Sequence, residues 1–232
     1  MKIAILSDAH GNLIYFQKCM KKMQEYSPEK IVFLGDCFGY MCEGNIILDI
    51  LRKLDSHVLL GNHEAMLLGE IPYNADKEEI YRLKIDEQNV SNSNFMYLKS
   101  LRPSYYEEMD GKKILYVHGR PDNPLNGYLY ADDQSFNWTE CQYDYIFMGH
   151  THYPYIKKAG TTTYVNVGAS GLPRDVGNAP SFVIFDTQTD KVVVHRVLVN
   201  EKELETVMRK DAHPAVYKCL MRKGKQICPE LM

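Results

Sequence analysis

The sequence lacks the features that mark membrane-spanning, exported and nucleic-acid-binding proteins. No apolar run approaches the roughly 20 residues that a membrane helix needs, and a strand pattern that begins at Lys2 leaves no room for a signal peptide. Its six cysteines form no Cys-x-x-Cys pair, and its net charge of −3 comes without a block of Lys or Arg. We therefore expect a cytoplasmic protein with reduced thiols, no membrane partner and no stable nucleic-acid complex.

Internal repeats and low-complexity linkers are also absent, so we expect the 232 residues to form a single α/β domain, 1–232. The first third alternates strand and helix patterns, which predicts a parallel sheet with right-handed crossovers. From Tyr105 onward, short strand patterns separated by Gly, Asp or Thr turns favour an antiparallel second half. A C-terminal helical tail is expected at about 201–232.

Residues 65–104 interrupt the strand patterns with a charged, Tyr-rich stretch of helical spacing. One interpretation of this segment is a cap-like insertion that covers the mouth of a cleft. The other is an ordinary helical connection on the outside of the sheet. The sequence leaves both interpretations open.

Five short apolar runs each stop at His, Asp or Asn, and this is the strongest functional signal in the sequence. The polar groups are Asp8-x-His10, Asp36, Asn62-His63-Glu64, His118 and His150-x-His152. Such runs are typical of buried strands, and chemistry in an open α/β sheet gathers outside the carboxyl ends of its strands. Each motif alone has a simpler explanation; Asp8, for instance, could cap the helix predicted near Leu13. Together, and in this order, they predict one metal-binding cleft.

The donor atoms of this set are carboxylate oxygens, imidazole nitrogens and an amide oxygen. Such donors suit manganese, iron or zinc, whereas the lack of cysteine among them argues against a structural zinc site. If one carboxylate is shared, the set divides into two groups of about four ligands. Two ions that share a carboxylate lie roughly 3.5–4 Å apart, the spacing that clamps a phosphoryl group for in-line displacement.

These motifs resemble the five motifs of the calcineurin-like metallophosphoesterases, and most closely those of the small bacterial and archaeal phosphodiesterases in that superfamily. Two further stretches carry the likeness to this branch, 118–121 and 166–175. The resemblance runs from residue 2 to about residue 197. It implies a four-layer α/β/β/α sandwich of two mixed sheets, which agrees with the α/β pattern of the sequence.

The resemblance also implies a role for each motif residue. Seven residues would hold two divalent ions: Asp8, His10 and His152 the first, Asn62, His118 and His150 the second, and Asp36 both. Manganese is the first expectation for these ions, with iron, zinc, nickel or magnesium as alternatives. A hydroxide that bridges the ions would attack the phosphorus, and His63, away from the metals, would protonate the leaving group. The amide of Asn62 would also donate to a phosphate oxygen.

Arg120 and Arg174 are the candidates for binding the substrate phosphate, because a guanidinium pairs with phosphate through a bidentate fork. The alternative for each is a surface ion pair with a nearby carboxylate, Asp122 or Asp175. The sequence does not decide between these two interpretations.

The resulting hypothesis is a dinuclear metal-dependent phosphoesterase that hydrolyses phosphodiesters or nucleotide-type phosphate esters, with a small phosphate ester or nucleotide as substrate. A phosphomonoesterase, a protein phosphatase and a diadenosine polyphosphate hydrolase stay open as alternatives. Protein Ser/Thr phosphatases of the superfamily follow Gly-Asp with Asp-Arg, whereas Cys37 and Phe38 stand here. The protein-phosphatase alternative is weaker for that reason, and the residue that orients His63 is unidentified.

A non-catalytic interaction scaffold of the same fold is the alternative of another class. A scaffold with a degraded site should lack several motif residues, and none is missing here.

The oligomeric state stays open, including a homo-oligomer. Two interpretations also stay open for five tyrosines. Their rings could stack on a nucleobase, or they could simply cover the edge of the core. These residues are Tyr73, Tyr81, Tyr97, Tyr128 and Tyr130.

Overall fold

The computed structural model describes residues 1–72, 75–139, 141–210 and 212–224. Within these residues, the strands and helices follow each other in this order: β1 (Lys2–Leu6), α1 (Leu13–Gln24), β2 (Lys30–Phe33), α2 (Gly44–Lys53), β3 (His57–Val58), α3 (Asn62–Leu67), a 3₁₀ turn (Ala75–Lys77), α4 (Glu78–Tyr81), α5 (Leu83–Asn89), α6 (Asn92–Leu98), β4 (Ser104–Met109), β5 (Lys112–Val117), β6 (Tyr145–Met148), β7 (Tyr155–Ala159), β8 (Thr162–Asn166), β9 (Ser181–Asp186), β10 (Lys191–Arg196), α7 (Glu201–Met208) and α8 (Pro214–Leu220).

The strands form two mixed five-stranded sheets, which confirms the predicted fold. In the first sheet, of order β10-β9-β1-β2-β3, the strands β1, β2 and β3 are parallel as predicted. Strand β9 pairs antiparallel with β1, and β10 pairs antiparallel with β9. In the second sheet, of order β4-β5-β6-β8-β7, the three central strands are parallel and the two edge strands are antiparallel.

The expected antiparallel second half is wrong for β5, β6 and β8, which run parallel to one another. The connection 118–144 between β5 and β6 is long enough for a crossover, which a parallel pair requires. Strand β7 pairs antiparallel with β8 at the sheet edge, so β8 is free to pair with β6 on its other side. Short turns in the sequence revealed the hairpins but not the order of the central strands.

The main core lies between the two sheets, where Ile5 of β1 meets the buried aromatic rings of Tyr116 and Phe147 from the second sheet. Helices α1 and α2 cover the outer face of the first sheet. Helix α1 forms there because its apolar residues, such as Phe16 and Met20, recur at helical spacing and are buried on one face.

The outer face of the second sheet is covered by irregular chain from the connection between β5 and β6. Leu129 from this connection is buried, and Phe136 and Trp138 pack beside it on Ile146 and Tyr164 of the sheet. This cover places the chain between β5 and β6 close to the carboxyl ends of both strands, where two of the predicted motifs lie.

The segment 65–104 is largely helical, as predicted, and its parts lie in two places. Helix α6 packs on the outside of α2, where the buried Asn94 amide donates to Asn45 Oδ1 at 2.9 Å. Tyr81, at the end of α4, lies instead over His63, with ring centroids 4.7 Å apart. The role of this segment as a cap stays a prediction.

The C-terminal residues form helices α7 and α8, which pack against the body of the protein. Lys18 Nζ of α1 lies 2.6 Å from Glu203 Oε2 of α7, and α8 contributes the buried Leu220 to a cluster next to α1. The remainder of the predicted tail, 225–232, and Tyr73 lie outside the described residues. Among the residues that are described, no helix is both long and apolar enough to cross a membrane.

Candidate metal centre

The loops that follow β1, β2, β5 and β6 meet at one edge of the molecule and bring the predicted metal ligands together. Three groups of buried side chains have ligand atoms within 4.8 Å of one another: Asp8, His10 and His152; His10, Asp36 and His63; and Asp36, His118 and His150. Asn62 joins them, because its Oδ1 lies 3.0 Å from His118 Nε2. We call these eight residues the polar cluster; it contains every predicted metal ligand and His63.

Five cluster residues have a backbone in the left-handed region, with φ between 48° and 63°: Asp8, His10, Asp36, His150 and His152. Asp and His adopt this region more readily than most residues other than glycine. The conformation turns the chain sharply just after each strand, so that side chains two residues apart reach the same cluster. Strained backbone of this kind concentrates at functional sites.

The Asp8 carboxylate is fixed at one oxygen and free at the other. Its Oδ2 accepts the backbone N–H of His150 at 3.0 Å. Its Oδ1 has no hydrogen-bond donor among the described residues and lies 3.2 Å from His152 Nε2. The free oxygen is therefore directed at the imidazoles of the cluster.

The Asp36 carboxylate repeats this arrangement between two groups of ligands. Its Oδ1 accepts the backbone N–H of His63 at 3.0 Å. Its Oδ2 lies 3.6 Å from His10 Nε2 and also 3.6 Å from His118 Nε2. A single oxygen of Asp36 thus faces both halves of the cluster.

Three imidazoles each donate Nδ1–H to a backbone carbonyl: His10 to Phe38 at 2.9 Å, His118 to Leu34 at 2.8 Å and His152 to Leu172 at 2.7 Å. In the neutral ring, the other nitrogen is then an acceptor. His10 Nε2 nevertheless lies 3.1 Å from His152 Nε2, and His118 Nε2 lies 3.0 Å from the acceptor Asn62 Oδ1. Acceptors that face each other at this distance are stabilised by a positive charge between them.

A proton is a poor candidate for the charge between His10 and His152, because burial lowers the pKa of both imidazoles. Burial is the largest cause of the lowered pKa of His10 and His152, and it lowers the pKa of His150 to about 3. A lowered pKa favours the neutral rings of His10, His150 and His152, and a neutral ring offers a lone pair. Burial, together with the nearby Glu64 carboxylate, raises the pKa of Asp36. Imidazole, carboxylate and amide donors without a compensating charge fit divalent cations.

Glu64 is a structural residue of this site whose contacts the sequence did not reveal. Its buried carboxylate accepts four backbone N–H groups, from Asp36 and Gly61 at Oε2 and from Cys37 and Phe38 at Oε1, at 2.6 to 3.1 Å. The carboxylate thereby holds the loop that carries Asp36 against the start of α3. A Glu three residues after the N-cap glycine matches half of a capping box. This spacing was the one feature of the sequence that could have indicated a structural role for Glu64.

Replacing Glu64 with glutamine should destabilise the protein by about 3 kcal/mol, because one oxygen acceptor becomes an NH₂ group that faces backbone donors. The free energy of unfolding in urea measures this effect. Glu25→Gln is the matched control, since Glu25 forms an exposed ion pair with Lys22 and should change stability by less than about 0.5 kcal/mol. Equal stabilities of the two variants would show that the four contacts of Glu64 do not hold the loop.

Arg174 lies beside the polar cluster. Its Nη2 donates to the Tyr40 hydroxyl at 3.3 Å, and the guanidinium is close enough to Asp8 to be attracted by its charge. The nearby carboxylate of Asp175 pairs with the guanidinium of Arg196. The alternative interpretation of Arg174 was an ion pair with Asp175, and Arg196 forms that ion pair instead.

Arg120 has the contacts of the alternative interpretation. Its Nε donates to Asp122 Oδ1 at 2.6 Å, and its guanidinium lies 5.9 Å from the centroid of the Phe136 ring. Both partners belong to the cover on the outer face of the second sheet. Within the described residues, the structure gives Arg120 no contact with the polar cluster, and we do not carry it forward as a phosphate ligand.

Among the described residues, His63 is held by ring packing. Its Nδ1 has no hydrogen-bond partner among the described residues, and a Cβ added to Gly39 would lie 2.1 Å from it. The ring packs against Tyr40 and Tyr81, with centroids 5.1 and 4.7 Å away. The N–H of Gly39 donates to the buried Asp86 Oδ2 at 2.7 Å, which fixes the glycine against the ring. Gly39 and Asp86 carry no sequence motif that would have identified them.

Comparisons with known proteins identify the family and show the same fold in other proteins. Residues 1–190 match the calcineurin-like phosphoesterase superfamily domain. An uncharacterised protein of Methanocaldococcus jannaschii is 29% identical over 214 residues, which cover 84% of this chain and 86% of that protein. A metallophosphoesterase from Sphaerobacter thermophilus has a TM-score of 0.79 at 23% identity, with 95% of this chain and 98% of that chain covered. A hypothetical protein from Pyrococcus horikoshii has a TM-score of 0.78 at 22% identity, covering 97% and 99% of the two chains. The chain therefore belongs to the calcineurin-like phosphoesterase superfamily.

Proposed function

We propose that this protein is a dinuclear metal-dependent phosphoesterase that hydrolyses phosphodiesters or nucleotide-type phosphate esters. The observation that carries the proposal is the contact between acceptor atoms in the polar cluster, such as His10 Nε2 and His152 Nε2 at 3.1 Å. Divalent cations satisfy such contacts. The position of Asp36 Oδ2, 3.6 Å from a nitrogen in each half of the cluster, supports a carboxylate shared by two ions.

We assign the ions to two sets of ligands that share Asp36: Asp8, His10 and His152 in one set, and Asn62, His118 and His150 in the other. When bound, the ions would activate water as the nucleophile and neutralise charge on the phosphate oxygens. We propose manganese, although the same donors also accept iron or zinc.

Three side chains would act directly on the substrate. Arg174 would donate to phosphate oxygens, because its guanidinium lies beside the cluster and is not paired with Asp175. The Asn62 amide would donate to another phosphate oxygen. His63 would protonate the oxygen of the leaving group, since two complete ligand sets exist without it and its ring lies 4.7 Å from that of His10.

The direct test is an assay of the protein purified with Mn²⁺ on bis-p-nitrophenyl phosphate and on the corresponding monoester. We expect metal-dependent turnover with the diester as the better substrate, loss of activity on chelation and recovery when Mn²⁺ is restored. His213→Ala is a suitable control, because His213 caps α8 far along the chain from the motifs and its loss should leave the rates unchanged.

The other outcomes identify the alternatives. A faster monoester reaction would indicate a phosphomonoesterase. Absence of turnover with metal bound would indicate an interaction scaffold, although the complete cluster argues against it. A protein phosphatase is less well supported, because Cys37 and Phe38 replace the Asp-Arg pair of those enzymes.

A further inference from the structure

Three tyrosine rings form a row that begins at the polar cluster, and we call this row the tyrosine shelf. The Tyr128 ring lies 4.1 Å from the His150 ring. The rings of Tyr128 and Tyr130 are nearly parallel, at 7°, with centroids 6.2 Å apart. Tyr130 in turn meets the edge of Tyr153 at 5.9 Å. The shelf therefore leads away from a proposed metal ligand along an aromatic surface.

The two tyrosines nearest the cluster are open to solvent. Tyr128 is 45% exposed and Tyr130 is 39% exposed, whereas Leu129 between them is buried on the second sheet. The Leu129 carbonyl also accepts the Tyr155 hydroxyl at 3.0 Å, which fixes this part of the chain. The backbone thus anchors Leu129 inward and presents both rings outward. Rings that served only to seal the core would be buried more fully.

Positive charge adjoins the shelf at both ends. Arg174 interacts with the Tyr128 hydroxyl at the end nearest the cluster. Arg222 Nη1 donates to the Tyr153 hydroxyl at 3.2 Å at the other end, and it also donates to the Arg174 carbonyl. An aromatic surface that meets a guanidinium beside the metal centre matches a ligand that joins an aromatic ring system to a phosphate.

We propose that Tyr128 and Tyr130 stack on the base of a nucleotide substrate whose phosphate is held at the polar cluster. This inference rests on the proposed function and narrows its substrate class to nucleotides, as opposed to phosphate esters of sugars, lipids or protein side chains. Every nucleobase has a face that stacks on an aromatic ring, so the subsite accepts different bases.

Calorimetry of the Mn²⁺-loaded protein with AMP and with ribose phosphate isolates the contribution of the base, because both ligands carry the same sugar and a phosphate. We expect AMP to bind about tenfold more tightly to the natural protein. Tyr130→Phe keeps the ring and should keep this preference. Tyr130→Leu keeps an apolar side chain without a ring and should weaken the preference severalfold, because only Tyr128 is left to stack, while its thermal unfolding midpoint stays unchanged.

Equal affinities of the natural protein for AMP and ribose phosphate would overturn the inference. A preference for AMP that is undiminished in Tyr130→Leu would also overturn it. Because the readout is binding, neither result depends on turnover.

A matched pair of substrates separates failure of this inference from failure of the proposed function. Thymidine p-nitrophenyl phosphate and methyl p-nitrophenyl phosphate release the same leaving group and differ in the nucleoside. Equal kcat/KM for the two diesters would overturn the stacking subsite and uphold the phosphoesterase. Preferential binding of AMP without turnover of either diester would uphold the subsite and contradict the proposed function.

Discussion

Replacing Asp36 with asparagine should remove both metal ions and lower the rate of phosphodiester hydrolysis by a factor on the order of 10³ or more. Asp36 Oδ2 is the oxygen that lies 3.6 Å from nitrogens in both halves of the polar cluster. A neutral amide is a poor bridge between cations, so neither ligand set remains complete. Elemental analysis of the purified variant, together with its kcat on bis-p-nitrophenyl phosphate, measures both effects.

The metal-free variant should be at least as stable at neutral pH as the metal-free natural protein. Asparagine can still accept the backbone N–H of His63 at the place of Oδ1, and it removes a buried carboxylate that adjoins Glu64. This comparison distinguishes loss of metal from loss of fold. Asp122→Asn is the matched control, since Asp122 is exposed and pairs with Arg120. Loss of one ion only in Asp36→Asn would show that Asp36 is not shared.

Replacing His63 with alanine should leave both ions bound and slow the hydrolysis of diesters that have poor leaving groups by roughly 10²- to 10⁴-fold. Esters of nitrophenol should suffer less, because their leaving group departs without a proton. The expected signature is a steeper dependence of kcat on the pKa of the leaving group than in the natural protein. A series of aryl and alkyl diesters measures that dependence.

The metal content of this variant decides between two roles for His63. The ligand atoms of His63, His10 and Asp36 lie within 4.8 Å of one another, so the structure also allows His63 to bind metal. Loss of an ion from His63→Ala would assign it to the ligands and contradict its role as an acid. His195→Ala provides a control, since His195 packs against Tyr26 and Phe182 on the first sheet, among residues other than the cluster.

The convergence of the cluster residues was predictable because it depends on local pattern. Apolar runs such as that before Asp8 read as buried strands, and parallel strands end at a common edge, so the residues that follow them must converge. The structure brings Asp8, His10 and Asp36 together in this way. The backbone explains the spacing of the first motif. Asp8 and His10 both have left-handed conformations in the turn after β1, and this turn directs both side chains to the cluster.

The remaining features depend on contacts between distant parts of the chain, which a single sequence does not encode locally. Arg120 and Arg174 each lie close to an aspartate in the sequence. The sequence therefore could not tell which of them forms an ion pair and which is available to bind phosphate. In the folded chain, Arg120 pairs with Asp122 and Arg196 pairs with Asp175. Arg174 instead lies beside the cluster and donates to the Tyr40 hydroxyl. The same reason applies to the parallel pairing of β5, β6 and β8.

Residues without a motif were missed for a related reason. Gly39 matters because a larger residue would strike His63, and its φ of 85° disfavours a side chain as well. Asp86 matters because it comes from the helical segment 65–104 and reaches the loop after β2. Their roles follow from shape and from hydrogen bonds that only the folded chain creates.

Anomalous diffraction from crystals grown with Mn²⁺ tests the shared carboxylate most directly. We expect two manganese peaks roughly 3.5–4 Å apart, with oxygen of Asp36 in contact with both. One ion alone, or two ions without Asp36 between them, would contradict the dinuclear centre on which the proposed function depends.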